Sequence, residues 1–246
     1  MVGFSKGLSA ALLVASVASA SPIAGTSSPL ERRGTIGSDQ IVGFPQSVPS
    51  GILGEVYLAY QPYLKVVNGC VPFPGVDAQG NTNAGLKPTG ASNGQCSSST
   101  GQIYSRAVSY NGYYAVMYAW YMPKDEPSDG LGHRHDWEGV IIWLASGTST
   151  TADNILAVCP SAHGKWNCST DAYSLSGTQP LIEYKSIWPI DHSCGLTTTV
   201  GGLQPLISWE ELPAVAQQAL DTTDFGAANV PFNDPHFLSN LANAGF

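Results

Sequence analysis

The dipeptide Asn111-Gly112 constrains the fold of this chain more than any other local feature of the sequence. It lies between two runs of apolar and aromatic residues, Ile103–Tyr110 and 113–121. Asn-Gly between two such runs is the strongest local signal for a β-hairpin, because both residues tolerate the positive φ angles of a two-residue turn. The second run is apolar on both faces, which is typical of a strand buried between two layers. These residues predict the centre of an antiparallel β-sheet.

The rest of the chain favours the same fold class. It contains 27 Gly and 17 Pro, and short apolar runs alternate with turn residues. Further strands are predicted at 56–60, 137–144, 155–158, 181–184 and 197–200. Two helices are predicted near the C-terminus, because Ser208-Trp209-Glu210-Glu211 is a capping-box pattern before 212–220 and Asp234-Pro235 is typical of a helix start. With no repeat and no interdomain linker, the sequence predicts a mainly β fold, a single-domain β-sandwich with a few peripheral helices over residues 34–246.

The first 33 residues are predicted to lie outside this domain. Lys6 precedes an apolar stretch at 8–17, and Ala18-Ser19-Ala20 forms a small-residue cleavage site, so residues 1–20 are interpreted as a secretory signal peptide. Residues 21–33 are rich in Ser, Pro and Gly and end in Arg32-Arg33, which is typical of a propeptide cut at a dibasic site. We therefore expect a secreted, extracellular protein that begins near Gly34.

The charge of the chain limits its partners. The formal net charge is −8 for the whole sequence and, by direct count, about −10 once residues 1–33 are removed. The Lys and Arg residues that remain are scattered. Binding nucleic acid, or docking electrostatically on anionic lipid, needs clustered positive charge. We therefore expect no nucleic-acid partner, and a membrane partner only if something other than positive charge recognises it.

Five cysteines in a secreted chain indicate an oxidising compartment and disulfide bonds. Cys70 and Cys96 bracket a loop rich in Gly, Asn and Pro, while Cys159 and Cys168 bracket a short turn. These pairs are the preferred assignment, although five cysteines leave other pairings open. Cys194 is then unpaired, and we expect it to be buried.

Seven consecutive residues, Gly132-His133-Arg134-His135-Asp136-Trp137-Glu138, carry the densest chemistry in the chain. Five of the seven side chains can ionise, in a protein in which 11% of residues are charged. The heptapeptide runs directly into an apolar segment at 140–144. Charged side chains avoid burial unless they are paired or bound to metal, so this cluster predicts a site at the end of a strand. The competing interpretation is a surface loop with ion pairs.

Strand geometry divides the heptapeptide. Successive side chains point to opposite faces, so Asp136 and Glu138 share one face while Trp137 lies on the other, towards the core. His133 has the wrong parity to join the two carboxylates unless the chain bends within the two residues that follow it. Asp125 lies eight residues before His133 at the end of the preceding run, and an antiparallel turn would bring the two together. The predicted site is therefore shared by two adjacent strands.

Three carboxylates in a partly buried rim require a compensating cation, because each raises the proton affinity of the others. We interpret Asp125, His133, Asp136 and Glu138 as ligands of a divalent cation, and oxygen-rich coordination suits Mg²⁺, Ca²⁺ or Mn²⁺ better than structural zinc. His133 and His135 with Glu138 also fit a two-His, one-carboxylate iron or zinc centre, which would make the protein an enzyme. The H-E-x-x-H motif is absent, and no predicted strand leads into a G-x-S-x-G nucleophile elbow. On the residues alone, metal-dependent binding and metal-dependent hydrolysis remain equally open.

The segments AVMYAWYMPKD at 115–125 and GHRHDWE at 132–138 closely resemble the signature region of the necrosis- and ethylene-inducing peptide-like proteins. These are secreted cytolysins of plant-associated fungi, oomycetes and bacteria. Further likeness runs from GCVPFP at 69–74 to WPIDH at 188–192, so the resemblance covers essentially the whole of 34–246.

The resemblance implies a β-sandwich similar to those of the actinoporins and some fungal lectins. It implies that Asp125, His133, Asp136 and Glu138 hold a divalent cation, Mg²⁺ or Ca²⁺ with Mn²⁺ as a third choice. The family's target is the plant plasma-membrane sphingolipid glycosyl inositol phosphorylceramide, whose sugar head group meets the metal. Residues expected near the head group or the membrane are Trp188, His192, His163 and Asp191. The simplest family members have one disulfide, which matches Cys70–Cys96.

The function implied by the resemblance is that of a non-enzymatic, metal-dependent cytolysin and virulence effector. It would damage the host plasma membrane and trigger necrosis and immune responses, with plant immune receptors recognising the segment 115–138. We expect a monomer in solution. The alternatives are a metal-dependent hydrolase that uses the His, Asp and Glu cluster, and a non-toxic sugar-binding member of the family. Of the remaining heptapeptide residues, His135 is expected to orient its neighbours and Arg134 to pair with an adjacent carboxylate.

Overall fold

The computed structural model describes residues 1–3, 34–187 and 191–245. The chain separates into two units, Met1–Arg32 and Arg33–Phe246, and the fold described below is that of the second. Apart from residues 1–3, the predicted signal peptide and propeptide fall outside the described residues, as does Trp188. No helix among the described residues is both long enough and apolar enough to cross a membrane.

The fold is mainly β, as predicted. The strands are β1 (Thr35–Ile36), β2 (Tyr63–Val66), β3 (Thr82–Asn83), β4 (Ile103–Tyr110), β5 (Tyr113–Ser128), β6 (Leu131–Leu144), β7 (Ile155–Ala162), β8 (Lys165–Trp166), β9 (Leu175–Ser176), β10 (Gln179–Ile187), β11 (Asp191–Leu196) and β12 (Leu206–Ser208). The helices are α1 (Ile52–Ala59), α2 (Ala214–Thr222) and α3 (Phe237–Asn243), with short 3₁₀ turns at Ala152–Asn154 and Trp209–Glu211.

Two large sheets form the sandwich. One has six strands in the order β12-β4-β5-β6-β7-β8, and the other has the order β11-β10-β2 with β9 paired to β10. Strands β1 and β3 pair separately as a two-stranded parallel sheet. Strand β11 packs across β5, β6 and β7, which places the second sheet over the centre of the first. The heptapeptide lies in β6, directly beneath β11.

The predicted hairpin is confirmed and lies at the centre of the larger sheet. Asn111 and Gly112 have φ angles of 49° and 88° and join β4 to β5. Strand β5 is 16 residues long, and every residue from 115 to 126 is buried. It has β4 on one side and β6 on the other, with a layer of apolar side chains on each face. The segment 115–126 is therefore enclosed on both faces and along both edges.

The predicted strand at 56–60 is wrong, because these residues belong to helix α1 and the turn that ends it. Val56, Tyr57 and Tyr60 are buried, and Leu53 also packs against the core. These four positions are spaced i, i+3, i+4 and i+7, the pattern of one helix face. A five-residue apolar window satisfies both periodicities, and only the longer window separates them.

Two other local predictions are also corrected. The segment 197–200 is not a strand; the chain leaves the sheet after Leu196, and the unpredicted strand β11 precedes it. The capping-box pattern at Ser208 does not start a long helix, since residues Trp209–Glu211 form a 3₁₀ turn and α2 begins after Pro213. The residue before a proline disfavours helical angles, which separates the two segments.

The predicted disulfides are both present. Cys70 is bonded to Cys96, and Cys159 is bonded to Cys168. Cys194 is free and buried in β11, where burial raises the pKa of its thiol well above the usual value. A neutral, enclosed thiol is unreactive.

Candidate functional site

A cavity of about 320 Å³ opens where β5 and β6 emerge from the sandwich beneath β11. It brings together all four predicted metal ligands and, in addition, His163, Asp191 and His192. The other lining residues come from β6, from the β7–β8 hairpin and from α3 with the segment before it; they include Trp137, Ser161, Lys165, Trp166, Asn229, His236 and Asn240. We call this the acidic cavity, because Asp125, Asp136, Glu138 and Asp191 all line it.

The two strands meet as the sequence predicts. In the β5–β6 register, Asp125 lies directly opposite His133. His135 has a φ of 63°, in the left-handed region that non-glycine residues seldom adopt, so the chain does bend within two residues of His133. The imidazole Nε2 of His133 lies 3.5 Å from Asp125 Oδ2, and its Nδ1 donates to the carbonyl of His135 at 2.8 Å. The bend therefore brings the side chain of His133 to the carboxylate side of the strand, and the hydrogen bond to the His135 carbonyl fixes the orientation of its ring.

Asp125 is buried, with 1% of its surface exposed, and β11 supplies its closest partners. The backbone N–H of His192 donates to both carboxylate oxygens, at 3.0 and 3.2 Å. The Nδ1 of the same residue lies 2.7 Å from Asp125 Oδ1. The ring of His192 also stacks on Tyr184, with the centroids 4.9 Å apart. Asp125 and His192 thus join the two sheets at the wall of the cavity.

Asp136 and Glu138 share one face of β6, as their parity predicts, and each has one side-chain donor. The hydroxyl of Tyr184 donates to Asp136 Oδ2 at 2.6 Å. The hydroxyl of Ser161 donates to Glu138 Oε2, and the backbone N–H of Cys194 also donates to this carboxylate. Burial raises the pKa of both carboxyl groups well above the ordinary range. The neighbouring carboxylates add to this, Asp125 acting on Asp136 and Asp136 on Glu138.

Three residues that line the cavity each have a buried polar atom with no hydrogen-bond partner within the described part of the chain. These atoms are Oδ1 of Asp191, Nε1 of Trp137 and Nε2 of His192, the last of which packs against Gly69. The other oxygen of Asp191 accepts from His163 Nδ1 at 2.7 Å, so this predicted pair of residues is in contact. A buried polar atom without a partner is costly, and such atoms in a cavity indicate a ligand. Trp188, the remaining residue predicted near the head group, lies outside the described residues.

The supporting heptapeptide residues differ from prediction at one point. His135 hydrogen-bonds with the hydroxyl of Tyr121 at 2.6 Å, and burial, followed by the charge of Arg134, lowers its pKa to about 4. Arg134 makes no ion pair with any described residue, and the prediction that it pairs with a carboxylate is wrong. Its guanidinium instead donates to the carbonyls of Ala84 and Gly85, both at 2.8 Å.

Trp137 is a core residue that also reaches the cavity. Its ring packs against several aromatic rings, which are Tyr104, Tyr121, Phe225 and Phe232. It is 7% exposed, and one edge forms part of the cavity floor. The prediction that it faces away from the carboxylates holds for most of the ring.

Residues 54–244 match the family described as necrosis inducing protein (NPP1). The chain belongs to this family. Among similar proteins, NLP effector protein 10 of Phytophthora capsici is 45% identical over 219 residues, covering 87% of this chain and 93% of that protein. The necrosis-inducing protein NPP1 of Phytophthora nicotianae is 42% identical over 214 residues, covering 85% of this chain and 90% of that one.

Solved structures of the family have the same fold. A structure of NLPPya in complex with mannosamine has a TM-score of 0.82 at 47% identity and covers 87% of this chain and 100% of that one. A glucosamine complex of NLPPya has a TM-score of 0.80 at the same identity and coverage. The non-toxic HaNLP3 protein also matches, with a TM-score of 0.80 at 35% identity over 84% of this chain and 98% of that one. The sugar-bound NLPPya structures and the non-toxic HaNLP3 protein therefore share this architecture.

The donor set of the cavity in this family member suits a hard divalent cation by type. Carboxylate oxygens and one imidazole are ligands that Mg²⁺ and Ca²⁺ accept. Yet in the described residues, no three His, Cys, Asp or Glu side chains already stand in an arrangement that would hold an ion. Asp125 is instead bonded to His192, Asp136 to Tyr184, and Glu138 to Ser161. Binding an ion would require these side chains to reorient.

Several residues of the site were not found from the sequence. Tyr184 and Ser161 contact the carboxylates from strands 48 and 23 residues away in sequence, respectively. Neither stands in a recognisable motif. The segment 227–240, which supplies further lining residues, contains a single carboxylate and no charge pattern. No signal in a single sequence would have placed it there.

Proposed function

We propose that this protein is a secreted cytolysin that binds the sugar head group of a plant plasma-membrane sphingolipid, glycosyl inositol phosphorylceramide, in the acidic cavity. The observation that carries the proposal is the concentration of buried carboxylates in one open cavity, two of them with raised pKa values. Such a cavity favours a positively charged or hydroxyl-rich ligand. Relatives solved with glucosamine and mannosamine support a sugar as that ligand.

The unpartnered atoms of the cavity support the same ligand class. Sugar hydroxyl groups both donate and accept hydrogen bonds, so one of them can satisfy the unpartnered carboxylate oxygen of Asp191. Trp166 and Trp137 line the same cavity, and aromatic rings pack well against the apolar face of a sugar. Recognition would then need no basic surface, in keeping with the acidic composition of the chain.

A divalent cation is the second part of the proposal. Asp125, His133, Asp136 and Glu138 would hold it, with Mg²⁺ or Ca²⁺ preferred and Mn²⁺ also acceptable. When bound, the cation would neutralise the carboxylates and offer open positions to sugar hydroxyls. The chain's own contribution is to keep the four side chains at one cavity wall, with His192 and Tyr184 orienting two of the carboxylates.

Trp188 keeps the role that the family resemblance gives it, which is contact with the head-group region of the bilayer. It follows directly on β10, whose partner β11 carries Asp191 and His192. Secretion through the leader at 1–33 would deliver the protein to the host surface. Binding and membrane damage are then separable steps, the first in the cavity and the second at Trp188.

The decisive experiment is dye release from vesicles of plant plasma membrane, with and without a chelator. We expect leakage that stops with chelator and returns with Mg²⁺ or Ca²⁺. Asp125→Asn should abolish both leakage and glucosamine binding, whereas Trp188→Ala should abolish leakage alone. Asp153→Asn, an exposed carboxylate that does not line the cavity, is the matched control. Leakage that ignores the chelator would overturn the role of the cation.

The same experiment separates the alternative functions. A non-toxic member, as HaNLP3 is described, would bind glucosamine without causing leakage. A metal-dependent hydrolase would release product from a glycan or ester, and Glu138→Gln would stop turnover while leaving sugar binding largely intact. Hydrolysis of the head group by the wild-type protein would replace our proposal with the enzymatic one.

Recognition of 115–138 by plant immune receptors is the last part of the proposal. Because residues 115–126 are buried in β5, a receptor that reads this segment would need it released from the fold. Protease-treated protein should therefore trigger the response more strongly than intact protein at equal concentration. An equal response to both forms would contradict this.

A further inference from the structure

A buried ion pair lies next to the acidic cavity and takes no part in it. Lys124 and Glu126 flank Asp125 on β5, and their side chains are 1% and 0% exposed. The Nζ of Lys124 contacts Glu126 Oε2 and also donates to the carbonyl of Ala91 at 2.9 Å. The other oxygen of Glu126 accepts from the backbone N–H of Gly130 at 2.9 Å. Neither residue lines the cavity. Because successive side chains of a strand point to opposite faces, Asp125 points to the cavity while Lys124 and Glu126 point to the other face.

The ion pair faces a loop formed by residues 84–91. Arg134, which lies opposite Lys124 in the strand register, donates to the carbonyls of Ala84 and Gly85 in this loop. The two cations together thus hold both ends of the loop. Backbone bonds add to this, because the N–H of Leu86 donates to the carbonyl of Pro123 at 2.8 Å. The loop is firmly tied to the strand residues on either side of Asp125.

The turn between β5 and β6 is tied to the same structure. Glu126 holds Gly130 within the turn, and the side chain of Asp129 accepts from the N–H of Gly90 at 2.9 Å. The strand register is irregular between Asp125 and Ser128, so regular strand pairing does not fix the backbone there. Side-chain bonds from Lys124 and Glu126 replace the missing ladder. They fix the chain at the point where Asp125 must point into the cavity.

A buried ion pair is a poor way to gain stability, because desolvation offsets much of the attraction between the charges. Apolar side chains of similar size would fill this space at no greater cost. What an ion pair with defined acceptors provides instead is direction, since its hydrogen bonds fix the two side chains in one arrangement. Its place beside the irregular register points to a positioning role.

We propose that the Lys124–Glu126 ion pair is a positioning device that aims the Asp125 carboxylate at His133 and His192. The contact with His192 follows from the geometry alone, while the effect on sugar binding rests on the proposed function. Removing both charges together should leave the sandwich folded but loosen Asp125. The carboxylate would then lose its close contact with His192 Nδ1.

The test compares two double variants. Lys124→Met with Glu126→Gln removes the buried pair while keeping side-chain length. Lys185→Met with Glu183→Gln removes an ion pair with the same i, i+2 spacing on β10, where the Lys185 side chain is 44% exposed and the pair distance is 2.5 Å. Each variant is measured by circular dichroism, by NMR of the histidine side-chain nitrogens at fixed pH, and by titration with glucosamine.

We expect the first double variant to keep its circular dichroism spectrum, to show shifted or broadened His192 ring signals, and to bind glucosamine about tenfold more weakly, since small displacements of a binding group cost affinity steeply. The Lys185 and Glu183 control should match wild type in all three. A folded first variant with wild-type His192 signals would overturn the proposal. If wild type itself fails to bind glucosamine, the proposed function fails, and the His192 signals still decide the positioning role.

Glu126→Asp keeps the proposal testable should the first double variant unfold. It retains both charges but shortens the reach to Gly130, so a folded protein is expected with altered His192 signals and weaker glucosamine binding. Unchanged His192 signals in this variant would count against positioning in the same way.

Discussion

Near its C-terminal end, β5 has buried charged side chains on both faces. On one face the positive and negative charges compensate each other, and on the other they do not. On the loop side, Lys124 and Glu126 neutralise each other, and backbone groups satisfy their remaining bonds. On the cavity side, Asp125, Asp136 and Glu138 lie together with no buried Lys or Arg among the described residues of the cavity wall. The balanced face needs nothing further. In the function proposed above, a ligand compensates the charge of the unbalanced face, which distinguishes a functional cluster from a structural one.

The largest expected effect on stability comes from removing one charge of the balanced face, the Lys124–Glu126 pair. Glu126→Gln alone leaves the Lys124 charge buried without its counter-charge, and such a loss costs about 3–5 kcal/mol of unfolding free energy. Urea denaturation followed by tryptophan fluorescence measures it. The Lys124→Met, Glu126→Gln double variant should lose much less than the single variant. A single-variant loss below about 1 kcal/mol, the value typical of exposed pairs, would mean that the pair is not effectively buried.

The unbalanced face should respond strongly to cations. At a cation concentration one hundred times its Kd, binding to the folded state alone adds about 2.7 kcal/mol to stability. Since the pKa values of Asp136 and Glu138 are raised, protons occupy these carboxyls in the folded state at mildly acidic pH. Protons and cations therefore compete. We expect Mg²⁺ or Ca²⁺ to raise the melting temperature at pH 7 and to have little effect at pH 5.

The same carboxyl groups set a pH dependence in the presence of chelator. A group whose folded pKa is raised favours the folded state below its unfolded pKa, and this contribution is lost as pH rises through the folded value. The carboxyl contribution to stability should therefore increase as pH is lowered from 7. A cation response of equal size at pH 5 and pH 7 would contradict the assignment of the site to these carboxyls.

Removing one charge from the unbalanced face should stabilise the protein, whereas removing one from the balanced face should destabilise it. Asp136→Asn keeps an acceptor for the Tyr184 hydroxyl but relieves the repulsion from Asp125. In chelator at pH 7 we expect a gain in unfolding free energy, because one of the mutually repelling carboxylates is removed, together with loss of the cation response. Thermal melts with and without cation test both parts. Glu183→Gln on β10 serves as a neutral control.

His135 gives a pH dependence of stability opposite in sign to that of the buried carboxyl groups. Its pKa of about 4 in the folded state lies below the ordinary 6.5, so the unfolded chain takes up the proton first as pH falls. Its contribution to stability is full above pH 6.5 and is lost between about 6.5 and 4. His135→Asn tolerates the left-handed backbone and does not titrate. The difference in stability between this variant and wild type should narrow or reverse over that pH range, as measured by urea denaturation at several pH values.

Local signals predicted the centre of the fold and most of the site. Asn111-Gly112 predicted one hairpin, and the separation of eight positions between Asp125 and His133 predicted the next, so the pairing of three strands followed from neighbouring residues. The charge density of the heptapeptide then located the cavity. These features depend only on residues that are close together in the chain, so a single sequence is enough to predict them.

What could not be predicted depends on contacts between distant parts of the chain. The sequence of β11 is too polar to predict a strand, because Asp191 and His192 are residues of the cavity. Its strand conformation depends on pairing with the distant strand β10. Arg134 was assigned to a carboxylate because charge favours one, yet the carbonyls of the 84–91 loop reach it instead. Tyr184 and Ser161 are ordinary strand residues until the sheets pack together. The sequence contains the donors, but the packing of the sheets selects their partners.

The burial of residues 115–126 also limits how this protein can evolve. The same stretch fills the centre of the larger sheet, ends in Asp125 at the cavity, and carries the Lys124–Glu126 pair on its other face. A substitution there must satisfy packing, site geometry and charge balance at once. A receptor directed at this stretch, as proposed above, would therefore recognise a region in which few substitutions are tolerated.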